Sequence, residues 1–328
     1  MKEKIENKLN QKPEIKEIFE RIFEIKEYEI KLEDPRAKEL FPNFLNQKIT
    51  IVRNKILNAE TIFNASRAKR HLPKKSFSLK DDYDPFCRND LTVNDELGSL
   101  ENESTKIVSN ISKMAPFHSV LYFKKHELDD LNEKDFLSAF DLAHLWFQKI
   151  EERFKTKTSI LIWNYNYRSG ASIYHTHFQL LSFYHTPMKF EFLKNRLEEY
   201  QKNFKGDYFE DLFKVLNFLG LAKEERGLKI FLSLTPIKER EIDFLGEFKG
   251  ENVLSFWNYL KKLKSFGFEN FNFLYLVNSE KIKNIAFLVD RGESHKIVSD
   301  FGSLEVFMNS VVSYDPFELA EKIFSNSK

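Results

Sequence analysis

Strand-like runs in this chain come in clusters, and single amphipathic helices separate the clusters instead of alternating with strands one for one. That order excludes a regular βαβ succession, the arrangement that builds parallel sheets. "KITIV", "TIFNA", "KIVSN" and "HSVLYF" come first. They are followed by the clearest helical pattern, "EKDFLSAFDLAHLWFQKIEERFK", with Phe136, Phe140, Ala143, Phe147 and Ile150 on one stripe. "SILIWNYN" and "IYHTHFQLLSF" read as strands around the loop "YRSGAS". After Pro187 come a charged helix "KFEFLKNRLEEYQKNF", strands "LKIFLSL" and "EIDFLGE", a helix "NVLSFWNYLKKLKSF", and strands "NFNFLYLVN" and "NIAFLVDR". A last helix opens at Asp315-Pro316, an N-cap residue followed by proline at the first helical position. At the other end, "KPEIKEIFERIFEIKEYEI" places Ile15, Ile18, Phe19, Ile22 and Phe23 at helical spacing and predicts an N-terminal amphipathic helix. The expected fold class is α+β, with mostly antiparallel sheet and packed helices. Each half holds strands, a helix and further strands, which fits an internal duplication without a letter-by-letter repeat.

With 328 residues, 42% of them apolar, the chain can bury a large core, and 34 phenylalanines against 4 methionines make that core aromatic. Lysine plus arginine is 51 and aspartate plus glutamate is 50, so there is no global basic field and no nucleic-acid partner is expected. Cys87 is the sole cysteine, which excludes an internal disulfide and an all-cysteine zinc site. The charged N-terminus lacks the apolar core of a signal peptide, and no apolar run is long enough to span a bilayer. A soluble, cytoplasmic protein without a membrane partner is the expectation.

The chemistry concentrates in "SGASIYHTHFQLL", residues 169–181. Strand alternation puts His175, His177 and Gln179 on one face and Thr176, Phe178 and Leu180 on the other, with Ser172 near the strand entry. Neutral imidazole is a nucleophile near pH 7, and a neighbouring amide can donate to a phosphoryl oxygen without adding charge. H-x-H also serves as a metal-binding pair, and it occurs on sheet surfaces with no function at all.

"NYNYRSGASIYHTHFQ" resembles the active-site segment of galactose-1-phosphate uridylyltransferases, the H-x-H-x-Q branch of the histidine-triad (HIT) superfamily, which also includes dinucleoside polyphosphate and GDP-hexose phosphorylases. Asn164, Gly170, Ser172, His175, His177 and Gln179 fall at matching places. "SRAKRHLP" resembles the family's R-A-K-R segment and maps its phosphate-contacting arginines onto Arg67 and Arg70; Asn110 in "KIVSN" matches a nucleotide-contacting asparagine. "LSLTPIKEREIDFLGEF" resembles the family's second strand pair, so the likeness spans roughly residues 50–328 and is weaker after His185.

The resemblance implies two HIT-like halves: an N-terminal helical extension at 1–45, a catalytic half at 46–187 and a second half at 188–328. It implies that His177 attacks the α-phosphorus of a nucleotide to form a nucleotidyl-histidine. Gln179 and Ser172 would bond the phosphoryl oxygens, and Asn164 would orient the phosphates. The implied enzyme is a nucleotidyltransferase that moves a nucleoside monophosphate from a nucleotide sugar to a sugar 1-phosphate, as a homodimer where the family forms one. One alternative is a phosphorylase that uses inorganic phosphate as acceptor and a nucleotide sugar or dinucleoside polyphosphate as donor. Another is a non-catalytic nucleotide-binding protein, whose mark would be loss of the nucleophile or its helper. No organic cofactor is implied.

Some uridylyltransferases hold a zinc with C-x-x-C, a downstream histidine and the first histidine of H-x-H-x-Q. Here the corresponding residues are Asp84, Cys87, His126 and His175, an acceptable set for one zinc (or iron) ion. The family's second metal site has no matching histidine in "IKNIAFLVD". The sequence departs from the usual H-P-H-G-Q, since Thr176 and Phe178 replace proline and glycine as in the phosphorylases. Where the family has a tyrosine–glutamate pair and a glutamine six residues later for the hexose, this chain has Leu304, Glu305 and Val311.

Overall fold

The computed structural model describes residues 1–31, 43, 45–69, 84–88, 92–279, 282–294 and 302–325. Two short helices, α1 (Lys2–Leu9) and α2 (Pro13–Ile22), open the chain and bury Ile5, Leu9, Ile15, Phe19 and Ile22. The helix does not run on to residue 30 as its spacing predicts. Phe23–Lys31 is a strand, β1, paired antiparallel with β2 (Asn46–Asn54) from Phe23↔Asn54 to Lys31↔Asn46. Over Phe23–Lys31, continuous pairing with a partner distant in sequence outweighs the local helical preference. β3 (Ala59–Phe63) pairs with β2 and extends this small sheet.

The large sheet is built by two successive units. The first is β4 (Leu100–Glu101), β5 (Thr105–Ser109), β6 (Phe117–Phe123), helix α3 (Glu133–Phe154), β7 (Thr158–Tyr165) and β8 (His177–Phe183). Two helices follow, α4 (Met188–Phe204) and α5 (Tyr208–Leu219); the second has no counterpart in the sequence-based expectations. The second unit is β9 (Ala222–Glu225), β10 (Leu228–Leu232), β11 (Ile242–Leu245), helix α6 (Glu251–Ser265), β12 (Phe271–Ser279) and β13 (Ile282–Asp290). Among the described residues the strand order is β4-β5-β6-β8-β7-β12-β13-β11-β10-β9, with antiparallel neighbours throughout. Each unit is three strands, a helix and two strands, and the units are arranged as mirror-ordered halves joined by β7 and β12. The α+β class is therefore as expected, and the strand order supports an internal duplication. A one-turn helix α7 (Ser303–Phe307), a strand β14 (Ser310–Val312) parallel to β3, and α8 (Pro316–Phe324) close the chain.

α3 starts where Asn132 accepts from the N–H of Lys134 and Asp135 while the Asp135 carboxylate accepts from Asn132 N–H, a reciprocal cap. Its stripe packs on one face of the sheet. Phe178 of β8 sits 5.5 Å from Phe140, 5.9 Å from Phe136 and 5.0 Å from Trp163, ring centre to ring centre, and all four are fully buried. α8 is capped by Asp315, whose carboxylate accepts from Phe317 N–H at 2.9 Å, as the Asp-Pro pair predicts.

Candidate active site

The strand carrying the H-x-H-x-Q motif begins at His177 and not at Ile173. Residues 172–175 form a bend, and Thr176 bridges two segments. Its N–H donates to the His126 carbonyl (3.0 Å), and its carbonyl accepts from Phe123 N–H (3.2 Å). From His177 onward the alternation holds. His177 lies opposite Tyr122, and Gln179 lies between Val120 of β6 and Ile162 of β7. Phe178 and Leu180 face the aromatic core. His175 stands just before the strand, yet Phe86 reaches both imidazoles, at 5.6 Å from His175 and 5.3 Å from His177.

His177 Nδ1 is 2.7 Å from the main-chain oxygen of His175. A carbonyl only accepts, so Nδ1 carries the proton and Nε2 keeps its lone pair. Burial depresses the His177 pKa, which holds the ring neutral. Together these leave Nε2 as the bare nitrogen of a neutral ring.

Gln179, two residues along the same face, meets a residue that the motif analysis does not single out. His118, the second residue of β6, is fully buried and places Nε2 2.9 Å from Gln179 Oε1. Its Nδ1 accepts from Met114 N–H at 3.0 Å. Asn110 joins the same group, with Nδ2 3.1 Å from His118 Nε2 and Oδ1 accepting from Ser112 N–H at 2.8 Å. The available sequence signal was a lone histidine on the Val120 face of an otherwise apolar strand.

Asn164 lies on β7 two residues from Ile162, hence on the Gln179 face. It pairs with Asn272 of β12, whose Nδ2 donates to Asn164 Oδ1 and to the Ser169 carbonyl, each at 2.7 Å. Arg291 donates to Asn272 Oδ1 at 2.5 Å. Gly170 ends the one-turn helix Tyr167–Ser169 at φ 91°, a left-handed conformation that a side chain would strain. Ser172 is exposed in the bend that follows. Arg67 sits in the short 3-10 turn that follows β3 of the small sheet. Arg70 lies outside the described residues.

Three of the four metal candidates, Asp84, Cys87 and His175, converge, and the fourth, His126, reaches one of them. Asp84 Oδ2 is 2.9 Å from His175 Nδ1 and 3.1 Å from His126 Nε2, and Cys87 Sγ is 3.8 Å from His175 Nδ1. Asp84 starts a tight turn by accepting the N–H of Phe86 (2.9 Å) and Cys87 (3.3 Å) on Oδ1. Burial alone would raise its pKa, but hydrogen bonds from His175, Cys87 and the Phe86 N–H bring it down to about 2. His175 Nε2 lies 2.6 Å from the Phe123 carbonyl and must donate there, so Nδ1 is the ring nitrogen left to Asp84 and Cys87: it donates to Asp84 when it carries a proton and offers a lone pair to a cation when it does not. A cation at that point is chemistry this arrangement suits, with the carbonyl-bound N–H in the role that orients metal-binding histidines. Asp84, Cys87 and His175 offer atoms all within 4.8 Å of one another, and His126 adds its contact to Asp84.

On the same sheet face, Asn164, Asn272 and Arg291 border a cavity of about 560 Å³ that runs under α4 and α5. Its walls are mostly apolar, and Glu241 and Asp243 stand in it. Burial raises the Glu241 pKa to about 7; burial and the neighbouring Glu241 raise Asp243 well above the carboxylate range.

No known family profile matches the sequence, and no curated protein matches it. Solved structures do. An ADP-glucose phosphorylase from Arabidopsis thaliana, crystallised with bound ADP-glucose, superposes with a TM-score of 0.66 at 14% identity, over 85% of this chain and 99% of that one. A GalT-like protein from Arabidopsis thaliana gives 0.64 at 13%, over 84% and 99%. A uridylyltransferase gives 0.58 at 12%, over 83% and 96%. The fold is uridylyltransferase-like. At these identities the likeness is one of fold, and it accords with the family that the H-x-H-x-Q segment resembles. In this chain only one of the two matching central strands carries a histidine: β8 has His177, and β13 has none.

Proposed function

We propose that this chain is a nucleotidyltransferase that works through a nucleotidyl-histidine at His177. The observation that carries the reading is the His177 Nδ1 bond to the His175 carbonyl, which leaves a neutral Nε2 on the strand whose same face carries Gln179, with Asn164 on that face of the neighbouring strand. Nε2 forms a bond to the α-phosphorus, and the bond from that phosphorus to its bridging oxygen breaks, so the oxygen departs with the electron pair on the leaving phosphate. An acceptor phosphate oxygen then bonds to the same phosphorus, and the N–P bond breaks back onto Nε2. Gln179, Asn164 and Ser172 serve as donors to the phosphoryl oxygens, while Arg67 and Arg70 serve the distal phosphates. Asn110 contacts the nucleotide, and Gly170 lets the loop turn close to the phosphates.

The donor is a nucleotide sugar or a dinucleoside polyphosphate. A sugar 1-phosphate acceptor follows from the uridylyltransferase resemblance. A phosphorylase using inorganic phosphate is favoured by one feature: Glu305, at the hexose-binding place, turns its carboxylate back to accept Gly302 N–H at 3.0 Å. Val311, at the glutamine's place, pairs with Ile62 in the small sheet. Asp84, Cys87, His126 and His175 would hold one zinc or iron ion. Bound there, the ion would tie the 84–88 turn and the end of β6 to the residue next to the nucleophile's strand.

Incubation with a panel of radiolabelled nucleotide sugars and diadenosine polyphosphates tests the proposal. Acid-labile label on the wild-type protein, absent from His177→Gly, is the expected result. Release of that label by inorganic phosphate, or by a sugar 1-phosphate, then identifies the acceptor. No label from any donor would reject nucleotidyl transfer.

A further inference from the structure

We propose that His118 and Arg291 are positioning residues that lock the site's two amides, Gln179 and Asn164, each in one orientation, with both NH2 groups turned to the His177 face. The proposal rests on the nucleotidyl-transfer reading for its purpose, but the locking itself follows from hydrogen-bond chemistry alone.

For Gln179 the constraint starts at Met114. Its main-chain N–H can only donate, so His118 Nδ1, 3.0 Å away, must be the bare nitrogen. A neutral imidazole then carries its proton on Nε2. That proton needs an acceptor in a fully buried place, because an unpaired buried donor is costly. Asn110 does not supply one: its oxygen accepts Ser112 N–H, and its Nδ2, 3.1 Å from the same Nε2, is itself a donor, so in this tautomer that contact is a meeting of two donors and not a hydrogen bond. Gln179 Oε1, at 2.9 Å, is the acceptor. With its oxygen pinned, the Gln179 carboxamide must direct its NH2 the other way.

For Asn164 the constraint starts at Arg291, in the second half of the chain. A guanidinium has donors only, so the atom of Asn272 that meets it is the oxygen. The Asn272 NH2 is therefore the group that faces Asn164, and the Ser169 carbonyl beside it confirms that a donor stands there. Asn164 must present its oxygen to Asn272, which frees its NH2. Two anchors, a histidine tautomer on β6 and an arginine just past the end of β13, impose the same outcome on two amides of one sheet face.

This matters because an amide has two ends of opposite sense. A phosphoryl group gaining negative charge is stabilised by NH2 and repelled by the carbonyl end. A freely flipping amide would present the wrong end part of the time, and reorganisation would then cost at the transition state. The anchors remove that freedom before substrate arrives. They also explain how a neutral glutamine can serve reliably where charge develops.

Two measurements on the full-length protein test the proposal. The first is the tautomer of His118, read from long-range nitrogen–proton correlation spectra of histidine-labelled wild type, with His118→Gln used to assign the signal. The Nε2–H form is expected; the Nδ1–H form overturns the Gln179 anchor whatever the assays give. The second is the rate of label transfer to His177 in four variants. His118→Met and Arg291→Met remove the anchoring donors and are expected to slow labelling by about tenfold to a hundredfold, short of losing a donor outright. Their effect should fall on the maximal rate more than on the donor concentration for half-saturation. His118→Gln and Arg291→Lys keep a donor at each place and are expected to recover most of the rate, with melting temperatures matched pairwise to the methionine variants. Equal rates in methionine and donor-bearing variants would overturn the proposal. If the wild type takes no label from any donor, nucleotidyl transfer fails as the function, while the tautomer still decides the anchor.

Discussion

The main-chain oxygen of His175 holds the His177 Nδ1 proton at 2.7 Å while the His175 ring meets Asp84 at 2.9 Å. One residue therefore faces the candidate metal cluster with its side chain and the candidate nucleophile with its backbone. Any shift of the His175 backbone moves the acceptor that sets the His177 tautomer.

Replacing His177 by glycine should abolish the covalent nucleotide and leave a folded protein. The ring packs on Phe86 at the edge of the aromatic core and not inside it. Intact-mass measurement after exposure to the reactive donor checks the adduct, and a cooperative melt checks the fold. An adduct on the glycine variant would move the nucleophile elsewhere.

Gln179→Ala should slow formation and breakdown of the adduct by similar factors, on the order of a hundredfold for a lost oxyanion donor. Both steps pass through the same five-coordinate phosphorus. Single-turnover rates for each half-reaction, measured separately, would show whether the loss is confined to one of them.

The purified protein should carry about one equivalent of zinc or iron if Asp84, Cys87, His126 and His175 act together. Cys87→Ser should lower both metal content and melting temperature, because the ligands come from separate segments and metal binding then contributes to folding. Elemental analysis and thermal melts, each with and without chelator, report this. A metal-free wild type indifferent to chelators would dispose of the site and leave the His177 chemistry untouched.

Stability should fall as pH rises from the ordinary carboxylate range toward about 7. Glu241 and Asp243 are buried and share one region, and their pKa values are raised in the folded state, Glu241 to about 7. The folded protein therefore keeps protons that the unfolded chain gives up. Their stabilising effect is full below the unfolded pKa and is lost as pH climbs through the folded one, by about 1.4 kcal/mol per pH unit for each proton withheld. Asp243→Asn should flatten that slope in denaturant titrations across the same range. An unchanged slope would mean the pair does not hold the extra protons.

Phe178→Ala should cost about 3–5 kcal/mol of stability, the range for emptying an aromatic site in a packed core. The ring is fully buried among Phe136, Phe140 and Trp163. Urea unfolding gives the value, and a loss below 1 kcal/mol would place the ring outside the core.

Local pattern in the sequence determined what depends on period alone. The alternation of His177, Phe178, Gln179 and Leu180 assigns two residues to the site face and two to the core, and the 3.6-residue stripe of α3 names what covers them. The Asp315-Pro316 start is equally local, because a cap needs only its own first turn. Tertiary structure decided everything that rests on a partner far along the chain. β1 is a strand because β2 pairs with it, although its residues continue a helical spacing. The strand of the motif starts at His177 because Thr176 is drawn to His126 and Phe123. Asp84 meets His175 across 91 positions, and Arg291 reaches Asn164 through Asn272 on the strand that joins the two halves. His118 carries no motif at all. Its importance arises only when β6 and β8 pair and bring a buried N–H opposite an amide oxygen, since a hydrogen bond is specified by where two atoms meet in space and not by the residues on either side of them.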